Sequence, residues 1–139
     1  MSELPWKEGD ALETLELPPV TRLDLVKYAG ASGDYNPINT IDEAAEAAGL
    51  PGVIQHGMLT MAQMSRLVTP FLDRGFIERF YNRFTGMVFV GDVLRFDGTV
   101  TKVEDDDAHP RITVEVRAET AEGRKVAAGE LRFVWTGAS

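Results

Sequence analysis

The longest helical pattern in the chain runs from residue 57 to about residue 72, and it constrains the fold more than any other feature. A helix on a protein surface keeps a polar face, whereas this segment is apolar or small around most of its circumference. The residues responsible are Met58, Leu59, Met61, Ala62, Ser65, Leu67 and Val68. We therefore expect a helix that is buried on nearly all sides, as when a sheet wraps around it. Pro70 predicts a kink or an end in the last turns.

Strand patterns dominate the chain after Gly75. Apolar and polar residues alternate in four segments, at residues 77–90, 93–104, 112–119 and 125–135, with turn residues between them. A short alternating segment at residues 11–17 supplies a further strand. The order of a strand, helices, one buried helix and an antiparallel meander predicts an α+β fold. In it, an antiparallel sheet of about five strands wraps around a long central helix.

Two shorter helices are predicted before the central one. Thr21 is a typical N-cap, and Asp24 three residues later completes a variant of the capping box. This helix is expected to end among residues 30–33, where two glycines lie. The Ala-rich segment at 41–48 predicts a second helix, which Thr40 or Asp42 would cap and Gly49 would end.

Size and composition indicate one domain. The chain has 139 residues, 44% hydrophobic and 26% charged, which suffices for one core but not two, so we expect a single domain over residues 1–139. No apolar run approaches the ~20 residues that cross a bilayer, and the polar, acidic start of the chain is unlike a signal peptide. The chain contains no cysteine, which excludes disulfides and thiolate sites. These absences predict a cytoplasmic protein without membrane association.

The net charge of −8 argues against a nucleic-acid partner, because neutralising phosphates requires a basic face. A small anionic ligand needs only a local basic patch. The candidates for such a patch are Arg74, Arg79, Arg83, Arg124 and Lys125. For each of them alone, a solvated surface charge is the more ordinary interpretation.

Asp34 lies on a loop punctuated by glycines and an Asn-Pro pair. The chain then returns through Pro51 and Gly52 to His56, directly before the central helix. Loops held between regular elements often carry functional sites. Judged by residue type alone, however, Asp34 is better explained as an Asx-turn residue and His56 as a local structural contact.

Three motifs in this region go beyond residue type: YAGASGD at residues 28–34, NPI at 36–38 and HGMLT at 56–60. Together with NRF at 82–84 and VGD at 90–92, they resemble the MaoC-like hydratases and dehydratases, which have the hot dog fold. The resemblance covers nearly the whole chain. It is greatest to the (R)-specific enoyl-CoA hydratases and to the catalytic subunit of the mycobacterial 3-hydroxyacyl-ACP dehydratase.

The resemblance implies roles for individual residues. Asp34 matches the family's catalytic Asp, and Gly57 matches the glycine whose backbone N–H binds the thioester carbonyl. The family's catalytic His, five residues after the Asp, corresponds to Asn39 in this chain. The resemblance also implies substrate-binding roles for Ser32, Asn36 and His56, and it implies no metal or other cofactor.

Adding water across a 2-enoyl thioester requires a polarised carbonyl, an oriented water and a proton for the α-carbon. Gly57 at a helix N-terminus would stabilise the enolate oxygen, and Asp34 would act as general base. Asn39 can orient a water, but it cannot titrate. The loss of a general acid or base typically lowers the rate by about 10²–10⁴-fold.

Two functional hypotheses follow. The first is an (R)-specific hydratase or dehydratase acting on thioesters of CoA or of acyl carrier protein (ACP), with Asp34, Asn39 and Gly57 as its catalytic residues. The second is a non-catalytic or weakly active thioester-binding subunit that pairs with a chain carrying an intact Asp/His dyad. The sequence also leaves open that position 39 was changed from His.

The resemblance further implies a dimer, either of two copies or with another hot dog subunit. Two sheets would join edge to edge, with the acyl-thioester site at the junction. An uncovered sheet edge is otherwise a hazard, because its free N–H and C=O groups pair with other chains.

Overall fold

The computed structural model describes residues 4–105 and 109–137. The single-domain prediction for residues 1–3, 106–108 and 138–139 lies outside the described residues. The elements in chain order are β1 (Leu15–Glu16), α1 (Arg22–Ser32), a 3₁₀ turn (Pro37–Asn39), α2 (Asp42–Ala47), α3 (Gly57–Met64), two 3₁₀ turns (Ser65–Leu67 and Thr69–Phe71), β2 (Gly75–Phe84), β3 (Leu94–Glu104), β4 (Arg111–Thr120) and β5 (Lys125–Trp135). Within these ranges, no helix is long and apolar enough to cross a membrane.

The strands form one antiparallel sheet with the order β1-β3-β4-β5-β2. Buried and less buried residues alternate along β3, because successive side chains point to opposite faces of a sheet. The same inner face carries the fully buried Phe96, Ile112, Val114, Leu131 and Phe133. The predicted α+β class and the antiparallel sheet of about five strands are confirmed.

Two strands are shorter than predicted. Residues 9–17 run along β3, but the N–H groups of Gly9, Leu12 and Leu17 donate to the carbonyls of residues 100, 98 and 94. Between successive hydrogen bonds, the 9–17 segment therefore has one residue more than β3 has. This mismatch limits regular pairing to β1 and one isolated bridge. At the other edge, β2 ends at Phe84 because Thr85 and Gly86 both donate to the carbonyl of Val126.

The capping box predicted for α1 is confirmed. Asp24 N–H donates to Thr21 Oγ1 at 3.1 Å, and Thr21 N–H donates to Asp24 Oδ2 at 3.0 Å. The helix ends at Gly33, whose φ of 77° is left-handed. The predicted cap of α2 is wrong: Ile41 occupies the N-cap position and makes no side-chain cap hydrogen bond.

The central helix is shorter than predicted. It is α-helical only as far as Met64 and continues as two 3₁₀ turns. The hydroxyl of Ser65 donates to the carbonyl of Ala62 at 2.6 Å, and Pro70 has no N–H for a fourth turn of α-helix.

The predicted burial of this helix is also only partly right. Thr60 and Met64 are buried, whereas Met58 is 57% exposed, so one face of α3 remains open in this chain. The buried face approaches the sheet closely at Gly98 of β3. A Cβ there would lie 3.5 Å from Leu67 Cδ1 and 3.0 Å from Val114 Cγ1.

Candidate active site

The loop after α1 places the carboxyl group of Asp34 at the surface. The hydroxyl of Ser32 donates to the carbonyl of Tyr28 at 2.7 Å and accepts from Asp34 N–H at 3.1 Å. Asp34 Oδ1 in turn accepts from Asn36 N–H at 3.3 Å, which is the Asx-turn expected from residue type. Asp34 itself is exposed, so the turn occupies one carboxylate oxygen and leaves the other open to a ligand or water.

The next turn of the loop buries Asn39. Asn36 Oδ1 accepts from Ile38 N–H at 3.2 Å and so caps the 3₁₀ turn that carries Asn39. Asn39 is 5% exposed, and its Nδ2 donates to the carbonyl of Ile54 at 2.7 Å. Its amide nitrogen therefore holds the loop against the segment before α3. Oδ1, which accepts hydrogen bonds, and the second N–H of the amide remain for further contacts.

His56 joins the loop to the central helix. Its ring is 4% exposed, and Nε2 lies 3.2 Å from the carbonyl oxygen of Asp34. Because a carbonyl only accepts, Nε2 is the donor of this hydrogen bond. Nδ1 is buried without a hydrogen-bond partner among the described residues. The edge of Tyr28 packs on the ring, with centroids 4.8 Å apart. The contacts of His56 thus connect the Asp34 loop to α1 and to the start of α3.

Gly57 opens α3, and its N–H donates to no acceptor within the described part of the chain. The first N–H groups of a helix have no partner inside it, and the helix dipole makes their end attractive to negative charge. A Cβ on Gly57 would lie 3.4 Å from the Phe84 ring. Gly57 therefore has an N–H without an acceptor and lies next to the Phe84 ring.

The structure thus gathers the predicted site residues into one neighbourhood. Asn39 reaches Ile54, the Asp34 carbonyl reaches His56, and Gly57 follows His56 directly. The side chains of Ser32 and Asn36 contact backbone groups of α1 and of the same loop.

Two aromatic side chains at this site were missed from the sequence, although both lie inside the quoted motifs. From the sequence, Tyr28 and Phe84 are only members of the YAGASGD and NRF motifs, and no contact of either with the site is predicted. The strand pattern gives no indication that Phe84 returns to Gly57, because this contact depends on how β2 is placed beside α3.

A cleft of about 500 Å³ borders the site. It lies between α1 and α3, where Tyr28 and Leu59 line it, and extends to the segment of residues 17–20 before α1. Two cations of the candidate basic patch make local contacts: Arg124 pairs with Asp92 at 2.7 Å, and Arg79 lies over the Tyr81 ring. Within residues 4–105 and 109–137, no three His, Cys, Asp or Glu side chains gather as a metal site.

Comparison with known proteins gives the family. The family described as "MaoC like domain" matches residues 7–123. Fatty acid synthase subunit beta of Aspergillus oryzae is 40% identical over 109 residues, which are 76% of this chain but 5% of that protein. The chain therefore spans only a small part of that relative.

Two solved structures have the same fold. An (R)-hydratase from A. caviae superimposes with a TM-score of 0.83 at 24% identity, covering 93% of this chain and 96% of that one. A chain of the ChsH1-ChsH2 complex from Mycobacterium tuberculosis gives a TM-score of 0.82 at 22% identity, covering 93% and 98%. These likenesses confirm the predicted hot dog fold. Since the family match includes the motifs around Asp34 and Gly57, the chain belongs to the MaoC-like hydratases and dehydratases.

Proposed function

We propose that this chain catalyses the reversible, (R)-specific hydration of 2-enoyl thioesters of CoA or ACP, and the reverse dehydration of 3-hydroxyacyl thioesters. The observation that carries the proposal is the contact between His56 and the Asp34 loop. The His56 ring lies 3.2 Å from the backbone carbonyl of Asp34, and it ties the loop with the exposed Asp34 side chain to the start of α3, where the Gly57 N–H is open. Family membership supports the same chemistry.

In this proposal the thioester oxygen accepts a hydrogen bond from Gly57 N–H. Asp34 takes a proton from water, and the resulting hydroxide forms a bond to C3 while the double-bond electrons move toward the thioester oxygen. The dipole of α3 stabilises this enolate. Asp34 then returns its proton to C2, so one carboxyl group balances the protons of the whole addition.

Asn39 has a positioning role in this scheme. Because its Nδ2 is bound to the Ile54 carbonyl, Oδ1 is the group left to accept a hydrogen bond from the attacking water. An amide cannot remove a proton from that water. The reaction therefore runs on one titrating group, and we expect it to be slower by about 10²–10⁴-fold than with a second acid or base.

The alternative is a non-catalytic thioester-binding subunit that partners a chain with an intact dyad. One observation favours it: Asn39 is buried and bonded to backbone, as a purely structural residue would be. The similar fold in the ChsH1-ChsH2 complex is compatible with a two-chain assembly.

We also propose a dimer, of like or unlike chains, formed along β2. This strand lies at one end of the sheet, so its outer edge is not covered by another strand among the described residues. The strand and the segment after it carry Phe76, Tyr81, Phe84, Met87 and Val90, each at least 39% exposed. Phe84 also borders Gly57, so a partner on this edge would meet the candidate active site.

The test is hydration of crotonyl-CoA and of a longer 2-enoyl-CoA, followed by loss of the enoyl absorbance. Parent, Asn39→His and Asp34→Ala chains are compared. Turnover by the parent that disappears in Asp34→Ala supports the proposal. A silent parent that Asn39→His activates shows that the missing imidazole is the whole deficit. If both are silent on every thioester, the subunit alternative replaces the enzyme.

A further inference from the structure

Tyr28 connects the cleft between α1 and α3 to the candidate active site. Tyr28, which lines the cleft, packs on His56, and His56 holds the Asp34 loop. Its walls are mostly apolar, with Leu17, Val20, Leu59 and Leu94 among the lining side chains. An apolar cleft with few polar groups is the usual form of a small-ligand site.

Gln63 supplies a hydrogen-bond donor to the cleft, because a neighbouring glutamine fixes its orientation. Gln55, which is 5% exposed, donates through Nε2 to Thr60 Oγ1 at 2.8 Å and to Gln63 Oε1 at 3.0 Å. This contact occupies the oxygen of Gln63. The amide nitrogen of Gln63, on the side chain that lines the cleft, is left to donate.

Two cations line the same cleft. Lys27 of α1 and Arg66, just after α3, have no ion-pair partner within the described part of the chain. The one carboxylate in the lining, Asp24, already accepts the N–H of Thr21. In a chain of net charge −8, this cleft therefore carries an excess of positive charge. The ligand that matches this cleft in polarity and charge has an apolar body and an anionic end.

The spacing suits an acyl chain that starts at the thioester. Arg66 follows Gly57 by nine residues. At roughly 1.5 Å per residue along α3 and roughly 2.0 Å per residue in the 3₁₀ turn, this spacing corresponds to about 14 Å. Tyr28, Leu59 and Arg66 all line the cleft, so an acyl chain that ran through it from Gly57 toward Arg66 would lie against the first two.

We propose that this cleft selects acyl groups that carry a carboxylate at the end distant from the thioester. Arg66 pairs with the carboxylate, Lys27 adds a second positive charge and the Gln63 amide donates a hydrogen bond. The inference rests on the proposed function in one respect, which is that it places the thioester at Gly57.

The test compares the binding of saturated, unreactive thioesters by calorimetry. Adipyl-, suberyl- and sebacyl-CoA are each paired with the methyl-terminated acyl-CoA of the same carbon number, and free CoA is a separate arm. We expect the carboxylate to improve affinity by about fivefold at the best length, the upper end for an ion pair with exposed cations. Arg66→Met and Lys27→Met should each reduce this preference.

Arg117→Met and Lys102→Met are matched controls, because they remove exposed cations of β4 and β3 that do not line the cleft. They should keep the preference. Equal affinity for both chain ends at every length overturns the inference, as does a preference that survives in Arg66→Met and Lys27→Met. If Arg66→Met weakens free CoA as much as the acyl-CoAs, the cations bind phosphates, and the inference also fails.

Turnover separates this inference from the proposed function. Hydration of methyl-terminated enoyl-CoA without any carboxylate preference keeps the proposed function and removes the inference. Preferential binding of the carboxylate chains without turnover of any thioester removes the enzyme and keeps the cleft's selectivity.

Discussion

Replacing Asn39 with leucine tests the contact that fixes the active-site loop. Leucine has nearly the shape of asparagine, so Asn39→Leu removes the 2.7 Å hydrogen bond to the Ile54 carbonyl without opening a large cavity. Among the described residues, that carbonyl has no other recorded donor. Leaving a buried acceptor without its donor costs about 1–3 kcal/mol.

This loss of stability corresponds to a decrease in the melting temperature, Tm. Unfolding entropy is roughly 2.1 cal/mol/K per residue, so for 139 residues the loss should lower Tm by about 3–10 °C. Differential scanning calorimetry measures it directly.

Asn82→Leu is the matched control for this substitution. Both amide atoms of Asn82 are buried without a hydrogen-bond partner among the described residues. The same change there removes no hydrogen bond, and we expect Tm to stay within about 2 °C or to rise, because an unpaired buried amide is itself costly. The reasoning is refuted if the two variants shift Tm equally, or if Asn39→Leu is as stable as the parent.

Three further substitutions test other parts of the account. Gly57→Ala puts a methyl group 3.4 Å from the Phe84 ring but keeps the N–H. We expect kcat to fall about tenfold, which is less than the 10²–10³-fold typical of a deleted oxyanion donor. An unchanged kcat would contradict the role of Gly57 as the oxyanion donor. Thr21→Ala breaks the capping box with Asp24 and should lower the free energy of unfolding by about 0.5–2 kcal/mol in urea, and no change in the midpoint would show that the cap is unimportant. Tyr81→Glu places a charge on the outer strand and should convert the proposed dimer to monomers in sedimentation velocity, whereas an intact dimer would exclude β2 as the interface.

The parts of the fold that depend on local chemistry were predictable. The last strand was predicted at residues 125–135 and is observed over those residues, because its turn and its alternation lie in adjacent sequence. The capping box of α1 is a contact across three residues. The length of the central helix was not predictable from apolar periodicity, since it depends on Ser65 and Pro70 competing with the backbone pattern.

In the candidate site, too, local contacts were predictable from the sequence and long-range contacts were not. The Asx-turn at Asp34 follows from residue type, and the motifs point to the same loop. The anchoring of Asn39 to Ile54 spans fifteen residues, and the contact of Phe84 with Gly57 requires the sheet to be in place. Spacing along the chain indicates neither contact, although together they decide which groups of the site remain free.

The most direct measurement of the central claim is the kinetics of Asp34→Asn. The amide oxygen can still accept from Asn36 N–H, so the loop keeps its turn, but the side chain can no longer take a proton. The account predicts that kcat for enoyl-CoA hydration falls by about 10²–10⁴-fold while the Kd of a saturated acyl-CoA is unchanged. An Asp34→Asn chain that hydrates enoyl-CoA as fast as the parent would contradict the account.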